Sequence, residues 1–366
     1  MLMSKRVVCL IGNGFDLALG LRTSYTDFRN FIELKQGSKM SKNLIYKALE
    51  EHTGGNWSDL EKKLGEIFKK STWEGIFKSS DSVIDGEELQ FSINKSREDL
   101  IDDLIEHLKQ EEKVLEKIQI DDEVKNNMIE GIQRLFSPTI ERDQDILKNH
   151  QNLYGEDIYF HTISFNYTNS FSYLFNKIES SDYSIGISFS RYATLYPHGT
   201  SEIGTTIGVN DETQLLGYKE GESVLEADTA KFMIKPRNKE HGQDNQYEEA
   251  LQRISIADII IIYGMSCGET DNIWWEAIEK RLLENKNSIA IVFSYETLRR
   301  THNSQVERVR NRVRSKLCSS SENMATIGNR IIVECSKDLF SHIKSKTEEV
   351  RKQVDEEQVL EEEDTI

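Results

Sequence analysis

Four short stretches of the sequence place glycines or polar side chains directly after an apolar, β-branched run. They are 12–16 (GNGFD), 166–168 (NYT), 198–199 (HG) and 264–271 (GMSCGETD). A glycine pair between a strand and a helix is typical of a turn that cradles a phosphate group. An asparagine amide donates and accepts hydrogen bonds, and a histidine accepts a proton near neutral pH. Together these residue types indicate a site that holds a ligand and moves a proton.

Asp16 lies in the first turn of the helix that the sequence predicts after the glycine turn. Its carboxylate disfavours a bare phosphate as the nearest ligand group, because two negative charges would then lie side by side. We expect Asp16 to accept hydrogen bonds from a ribose hydroxyl or from the loop at 23–28, while its charge also favours the helix N-terminus. The carboxylate therefore favours a nucleoside ligand over a simple anion.

A hydride-transfer enzyme is disfavoured by the residues that follow the first turn. The dinucleotide fingerprint G-x-G-x-x-G needs a third glycine where Leu17 stands. The stretch 21–31 (LRTSYTDFRNF) also lacks the second strand and the ribose-binding acid of such enzymes. The glycine turn must therefore be judged together with the other three stretches.

Each of the four stretches also has a purely structural alternative. A glycine pair suits a tight turn, and Asn166 suits an Asx turn or a helix N-cap. Ser266 and Asp271 can cap the helix that follows them, and His198 can be a hydrogen-bonded structural histidine. Taken one at a time, the stretches leave these alternatives open.

The elements that must position these residues follow from the hydrophobic pattern. Apolar, β-branched runs predict buried strands at Arg6–Ile11, Ile158–Phe165, Ile256–Tyr263, Ser288–Phe293 and Arg330–Glu334. Helical periodicity accompanies most of them, which predicts an α/β fold with a doubly wound parallel sheet. Because ligands bind at the carboxyl ends of the strands in such a sheet, we expect the four polar stretches to converge there.

The pattern changes between about residue 40 and residue 150, where charged residues surround helical repeats such as 60–68 (LEKKLGEIF). We interpret 41–150 as a helical insertion into a discontinuous α/β domain formed by 1–40 and 151–340. The last segment, 341–366, is rich in Glu and Asp and almost free of aromatic residues. We interpret 341–366 as an acidic tail, whose part from Glu348 to Asp364 is expected to be a solvated helix end or disorder.

Composition limits the classes of protein and partner. A net charge of −17 disfavours a general nucleic-acid-binding surface. The four cysteines form no Cys-x-x-Cys pair, so neither a zinc ribbon nor a disulfide framework is predicted. The longest apolar run, 256–265, is far shorter than the roughly 20 residues that span a bilayer. We expect a cytoplasmic protein that needs neither a membrane nor a metal.

Several stretches, taken in order, carry a family resemblance. They are IGNGFDLALGLRTSYTDF, NWSDLE, SFNYT, HG and YGMSCGETD, which span roughly residues 7–275. In this order they resemble the abortive-infection AbiH family of bacterial anti-phage proteins. The resemblance implies a role in phage defence.

The same order is similar, more distantly, to sirtuin-like NAD-binding domains, which implies a sirtuin-like variant of the Rossmann-like fold. By that resemblance, Asn166 and His198 are the catalytic pair. The residues expected around the dinucleotide, with Asp271 added because it begins the next helix, are Gly12, Asn13, Gly14, Asp16, Tyr25, Asp27, Phe28, Gly264, Ser266 and Asp271. Sirtuin deacetylases carry a cysteine-ligated zinc module after the histidine, and this chain has no cysteine pair there, so peptide deacetylation is disfavoured.

An asparagine and a histidine suit cleavage of the bond between nicotinamide and ribose in NAD. That reaction passes through an oxocarbenium-like state, and its neutral leaving group needs no strong acid. We therefore expect an effector that hydrolyses NAD to nicotinamide and ADP-ribose and is restrained as a homo-oligomer or by a partner protein of the defence system. Two alternatives stay open: a non-catalytic sensor that binds a nucleotide, and a nuclease-type effector that uses the basic stretch 299–316.

Overall fold

A single parallel sheet forms the centre of the fold. The computed structural model describes residues 3–35, 42–78, 86–136, 141–151, 154–178, 189–235, 244–295 and 303–363. Its strands are β1 (Met3–Ile11), β2 (Tyr154–Ser164), β3 (Phe189–Arg191), β4 (Ile259–Tyr263), β5 (Ile289–Ser294) and β6 (Ile331–Cys335). They lie in the order β3-β2-β1-β4-β5-β6, and every neighbouring pair is parallel. This is the strand order of the doubly wound Rossmann-like fold, so the predicted fold class is confirmed.

Helices surround the sheet and form most of the segment between β1 and β2. They are α1 (Gly14–Ala18), α2 (Tyr25–Lys35), α3 (Leu44–Thr53), α4 (Leu60–Glu66), α5 (Lys70–Lys78), α6 (Gly86–Glu116), α7 (Asp122–Leu135), α8 (Glu141–Gln151), α9 (Ser170–Phe175), α10 (Ala227–Phe232), α11 (Asp244–Ile256), α12 (Asn272–Glu284), α13 (Asn303–Lys316), α14 (Ser321–Ile327) and α15 (Ser341–Glu363). None of the described helices is long and apolar enough to cross a bilayer.

The middle of the sheet is buried on both faces, as its continuous apolar strands predict. Residues 7–11 of β1 are all 0% exposed, and alternate side chains enter two different cores. Val7, Cys9 and Ile11 pack with apolar residues of α7, α8, α9 and α15. Val8 and Leu10 pack with those of α11, α12 and α14. Helices on both faces therefore fix the sheet and its carboxyl edge.

A third core is built from helices that precede α7. Phe28 of α2 packs there with Trp57, Phe68 and Trp73, together with residues of α3, α6 and the segment 207–234. The apolar residues of α7 and α8, by contrast, pack against the sheet. The helical segment 41–150 thus contributes to two cores, and its assignment as one inserted domain stays a prediction.

The described part of the C-terminal segment is not free in solvent over its whole length. Ile343, Thr347 and Arg351 of α15 are buried, because the first half of this helix packs beside α6 and α7. Burial of Arg351 differs from the solvation expected for 348–364, whereas the assignment of 341–366 as a tail stays a prediction. Residues 364–366 lie outside the described residues.

The basic stretch also differs from its predicted arrangement. Helical periodicity places Val306, Val309, Val313 and Leu317 in one apolar stripe and Arg310 and Arg314 on other faces, which predicts a solvated helix face. Both arginines are nevertheless buried. Arg310 donates to the carboxylate of Asp143, and Nε of Arg314 donates to the carbonyl of Ile331 at 3.1 Å. Both guanidinium groups therefore bind acceptors of the protein itself. Residues 299–302 of the stretch lie outside the described part of the chain.

Candidate functional site

The carboxyl ends of the three central strands meet at one edge of the sheet, as expected. Gly12 N donates to the carbonyl of Tyr263 at 2.8 Å, which ties the end of β1 to the end of β4. Phe165 N donates to the carbonyl of Ile11 at 2.8 Å, which ties the end of β2 to β1. The polar residues that follow these strands are therefore brought into one region.

The glycine turn packs directly on the turn after β4. Gly14 N donates to the carbonyl of Gly264 at 2.8 Å, and a Cβ on Gly14 would lie 2.6 Å from Gly264 Cα. Gly264 itself has φ +73°, a conformation that favours glycine. The amides of Gly12 and Gly14 are thus used in backbone hydrogen bonds, so this turn does not present them to a phosphate.

Three of the predicted ligand-binding residues have structural partners. Asn13 exchanges hydrogen bonds with Thr23: its Nδ2 donates to the Thr23 carbonyl at 3.0 Å, and Thr23 Oγ1 donates to its Oδ1 at 2.6 Å. Asp27 forms a capping box with Ser24 at the start of α2. Phe28 is 0% exposed within the third core. These residues fix the loop between α1 and α2.

Asp16 is enclosed by donors from the residues that follow β2. Asn166 Nδ2 donates to its Oδ1 at 3.0 Å, Thr168 Oγ1 donates to its Oδ2 at 2.6 Å, and Ser170 Oγ donates to its Oδ1. The side chain is 1% exposed, and burial raises its pKa from 3.8 to about 6 against the opposing effect of these donors. Asp16 therefore acts as a buried acceptor that fixes the side chains of Asn166, Thr168 and Ser170.

The hydrogen bond that Asn166 donates to Asp16 orients the amide of Asn166. Because Nδ2 donates to Asp16, the Oδ1 atom points away from that carboxylate as an acceptor. This oxygen is buried and has no hydrogen-bond partner among the described residues. A buried polar atom without a partner requires an explanation, and a water molecule or ligand hydroxyl supplies one. The expected Asx turn or helix cap does not account for this geometry.

His198 is the second buried group with an unpartnered atom. Its ring is 3% exposed and meets Phe165 edge-on with centroids 5.2 Å apart. Within the described chain, its Nε2 has no hydrogen-bond partner. Burial, with a further contribution from the positive charge of Lys235, lowers the pKa of His198 well below its ordinary value. The imidazole is therefore neutral at neutral pH.

Two charged residues that the sequence analysis did not single out lie beside this region. Lys235 Nζ donates to Glu61 Oε2 at 2.7 Å and lies 3.6 Å from Asp271 Oδ1. Burial lowers the pKa of Lys235, but the two carboxylates outweigh this effect and raise it overall. Burial raises the pKa of Glu61, which Lys235 opposes. Glu61 ends the stretch NWSDLE, so a signal for it existed, whereas no motif pointed to Lys235.

The phenol of Tyr167 connects the loop that carries Asn166 to the pair formed by Glu61 and Lys235. It follows Asn166 in the chain, and its OH donates to Glu61 Oε1 at 3.0 Å. Tyr25 lies beside the same two side chains, and burial raises the pKa of both phenols well above their ordinary value. Tyr25 therefore lies against Glu61 and Tyr167, and its role in ligand binding, expected from the sirtuin-like resemblance, stays a prediction.

Ser266 is not brought into this group. Its side chain is exposed, and its carbonyl accepts a hydrogen bond from Lys316 at 2.7 Å. Asp271 begins α12 but makes no side-chain capping bond to that helix. Its carboxylate instead faces Lys235, so the capping role considered from sequence is not observed.

One trio of described residues has metal-ligand spacing, with ligand atoms within 4.8 Å of one another: Asp121, Glu123 and His342. Asp121 caps α7 by accepting from Val124 N at 2.8 Å, and Glu123 pairs with His342 at 3.3 Å. These contacts explain the trio as part of the packing of α15 against α7. It contributes nothing to the strand-end site.

A comparison with known families agrees with this assembly of motifs. Residues 8–295 match the family described as bacteriophage abortive infection AbiH. The chain belongs to the AbiH family. Membership assigns it to abortive infection, a bacterial defence against phage, and confirms the resemblance that the ordered motifs carry. The matched region includes Asp16, Glu61, Asn166, His198 and Asp271. No curated protein matches the chain.

Proposed function

We propose that this AbiH protein is an anti-phage effector that hydrolyses NAD to nicotinamide and ADP-ribose at the carboxyl edge of the sheet. The observation that carries the proposal is the pair of buried, unpartnered atoms, Asn166 Oδ1 and His198 Nε2. The distant similarity of the motif order to sirtuin-like NAD-binding domains supports NAD as the substrate.

The reaction requires the protein to orient the substrate and to accept one proton. The bond between C1 of the ribose and the pyridinium nitrogen breaks, and its electron pair neutralises nicotinamide as it leaves. The remaining ribosyl group has oxocarbenium character and is attacked by water. Water forms the new carbon–oxygen bond and gives up a proton. Asn166 Oδ1 would accept a hydrogen bond from this water or from a ribose hydroxyl.

His198 would receive the proton at Nε2. Its lowered pKa makes it a weak base, but a water molecule that bonds to an oxocarbenium carbon becomes strongly acidic. A weak, neutral base is therefore sufficient. A neutral ring also avoids placing a second positive charge beside the cationic substrate.

The test is release of free nicotinamide from NAD by the purified full-length protein, measured with and without phage lysate. We expect release in at least one condition, and a loss of about 100-fold or more in Asn166→Ala and His198→Ala. The matched controls are Asn176→Ala, on an exposed asparagine after α9, and His52→Ala, on a half-buried histidine paired with Glu66 at 3.0 Å. Both controls should retain activity.

Two results would decide against parts of the proposal. Release of no nicotinamide in either condition would reject hydrolysis. Release that survives both Asn166→Ala and His198→Ala would reject the site while leaving the reaction in place.

The second candidate function is a sensor that binds a nucleotide without chemistry. It is favoured by the occupied amides of Gly12 and Gly14 and by the internally satisfied Asp16, which hold the first turn as a rigid structural unit. A sensor would bind NAD or a related nucleotide without releasing nicotinamide. A nuclease-type effector is not proposed, because Arg310 and Arg314 are buried against groups of the protein itself.

A further inference from the structure

The carboxyl edge of the sheet carries an excess of buried negative charge. Lys235 is the cation shared by Glu61, at 2.7 Å, and Asp271, at 3.6 Å. Its side chain is 2% exposed, and those of Glu61 and Asp271 are 14% and 18% exposed. With both carboxyl groups ionised, one lysine balances only one of them. In that state the trio has one negative charge, and neither carboxylate forms a salt bridge with another cation of the described residues.

Unpartnered polar atoms surround this trio. Within the described chain, Asp271 Oδ1, His198 Nε2, Tyr247 OH and Trp274 Nε1 are buried and have no hydrogen-bond partner. They are close together: the Trp274 ring lies 4.7 Å from the ring of Tyr247 and 6.5 Å from that of His198, between centroids. Several unsatisfied groups in one place indicate a missing ligand, because each of them alone is costly to bury.

The carboxylate of Asp271 has one structural contact, its ion pair with Lys235 at 3.6 Å. It stands at the N-cap position of α12 without capping it, and Glu61 makes the shorter contact with Lys235. A partly buried carboxylate that shares one lysine with a second carboxylate attracts a further positively charged group.

We propose that Asp271 recognises the positive charge of the oxidised nicotinamide ring, so that the site selects NAD⁺ over NADH. This inference rests on the proposed function for the identity of the ligand, and it adds the residue that sets specificity. The oxidised ring is a planar cation, whereas the reduced ring is neutral. Asp271 therefore stabilises only the oxidised form by charge, and this attraction ends when neutral nicotinamide leaves.

Binding is measured by calorimetry with carbocyclic NAD⁺ and its reduced form as probes, because a methylene group in place of the ribose ring oxygen prevents hydrolysis. We expect wild-type protein to bind the oxidised probe at least about tenfold more tightly. In Asp271→Asn, the ratio of the two affinities should fall to about twofold or less through weaker binding of the oxidised probe. A thermal melt of Asp271→Asn is the control that tests whether the variant is folded.

The matched control is Glu269→Gln. Glu269 lies two residues before Asp271, and its side chain is 85% exposed with only a 3.6 Å contact to Lys62. This variant makes the same change in net charge but should keep the wild-type ratio. If Glu269→Gln lowers the ratio of the two affinities as much as Asp271→Asn does, selection depends on the net charge of the protein and not on Asp271. That result would overturn the inference.

Different results would reject the selection of NAD⁺ by Asp271 and the hydrolysis of NAD. Selective binding of the oxidised probe that depends on Asp271, in a protein that releases no nicotinamide, supports the inference and rejects hydrolysis. Release of nicotinamide together with an unchanged ratio in Asp271→Asn rejects the inference and supports hydrolysis. A folded protein that binds neither probe and releases no nicotinamide rejects both.

Discussion

The carboxylate of Asp16 is a buried acceptor shared by three donors from one loop, Asn166, Thr168 and Ser170. In Asp16→Asn, one side-chain oxygen becomes an amide donor and faces groups that also donate. We expect the free energy of unfolding to fall by about 1–3 kcal/mol, because buried donors lose their acceptor. Urea unfolding measures this change, with Asp228→Asn on an exposed carboxylate of α10 as the control. Equal stability of Asp16→Asn and wild type would contradict the assigned role.

The raised pKa of Asp16 also predicts a pH dependence of stability. Burial raises the pKa from 3.8 to about 6, so between these values the folded protein binds more protons at this site than the unfolded chain. Its contribution to stability is therefore full at low pH and is lost as the pH rises through about 6. We expect the stability of wild type relative to Asp16→Asn to fall by about 2–3 kcal/mol between pH 4 and pH 7. Urea melts across this range test it, and a difference that rises with pH would contradict it.

At the residue scale, sequence predicted where the polar groups lie but not their partners. Asp16, Asn166, His198 and Tyr25 follow from strand ends and motif order, and the structure brings them to one edge. The bond between Asp16 and Asn166 joins residues 150 positions apart. Local patterns carry no information on such pairs, which depend on the packing of distant elements. For this reason the contact of Lys235 with Glu61 had no sequence signal.

At the element scale, the turns after β1 and β4 depend on glycine because their backbones touch. A Cβ on Gly264 would lie 2.6 Å from Phe15 N and 2.7 Å from the carbonyl oxygen of Gly12, and φ is +73°. We expect Gly264→Ala to destabilise the protein by about 2–4 kcal/mol through strain and overpacking. The control Gly268→Ala lies in the same loop, and its Cβ would meet only Ser266 Oγ at 3.4 Å and Thr270 Oγ1 at 3.9 Å. Comparable losses in both variants would show that the close approach is not the cause.

The predictability of the elements follows from their burial and length. Each of the five predicted strands is present within a few residues, because a short β-branched run bounded by polar or glycine residues favours a strand that is buried on both faces. β3 was missed, since three residues at the edge of the sheet, Phe189–Arg191, are too short to show a period. The apolar stripe of α13 does not predict the burial of Arg310 and Arg314, because these arginines are held by Asp143 and the Ile331 carbonyl, which lie far away in the sequence.

At the scale of the whole molecule, α6 links the C-terminal helix to the site. Arg351 of α15 donates to both oxygens of Glu111, at 2.9 Å and 2.5 Å, and the two side chains are 9% and 7% exposed. The next residue, Glu112, accepts from Asn169 N at 2.8 Å and from Ser201 Oγ at 2.6 Å. These two contacts hold the loops that carry Asn166 and His198. The position of α15 is thereby connected to the geometry of the site.

Removal of the Arg351 charge should therefore affect both stability and the site. Breaking a buried ion pair leaves the Glu111 carboxylate without its cation, so we expect Arg351→Met to lower the free energy of unfolding by about 3 kcal/mol. Because α6 then holds its neighbours less firmly, exchange of the Asn169 amide hydrogen should become faster in the native state. The control Lys352→Met removes a charge from the exposed next residue and should change neither quantity. Loss of stability without faster exchange at Asn169 would mean that α15 stabilises the fold but does not support the site.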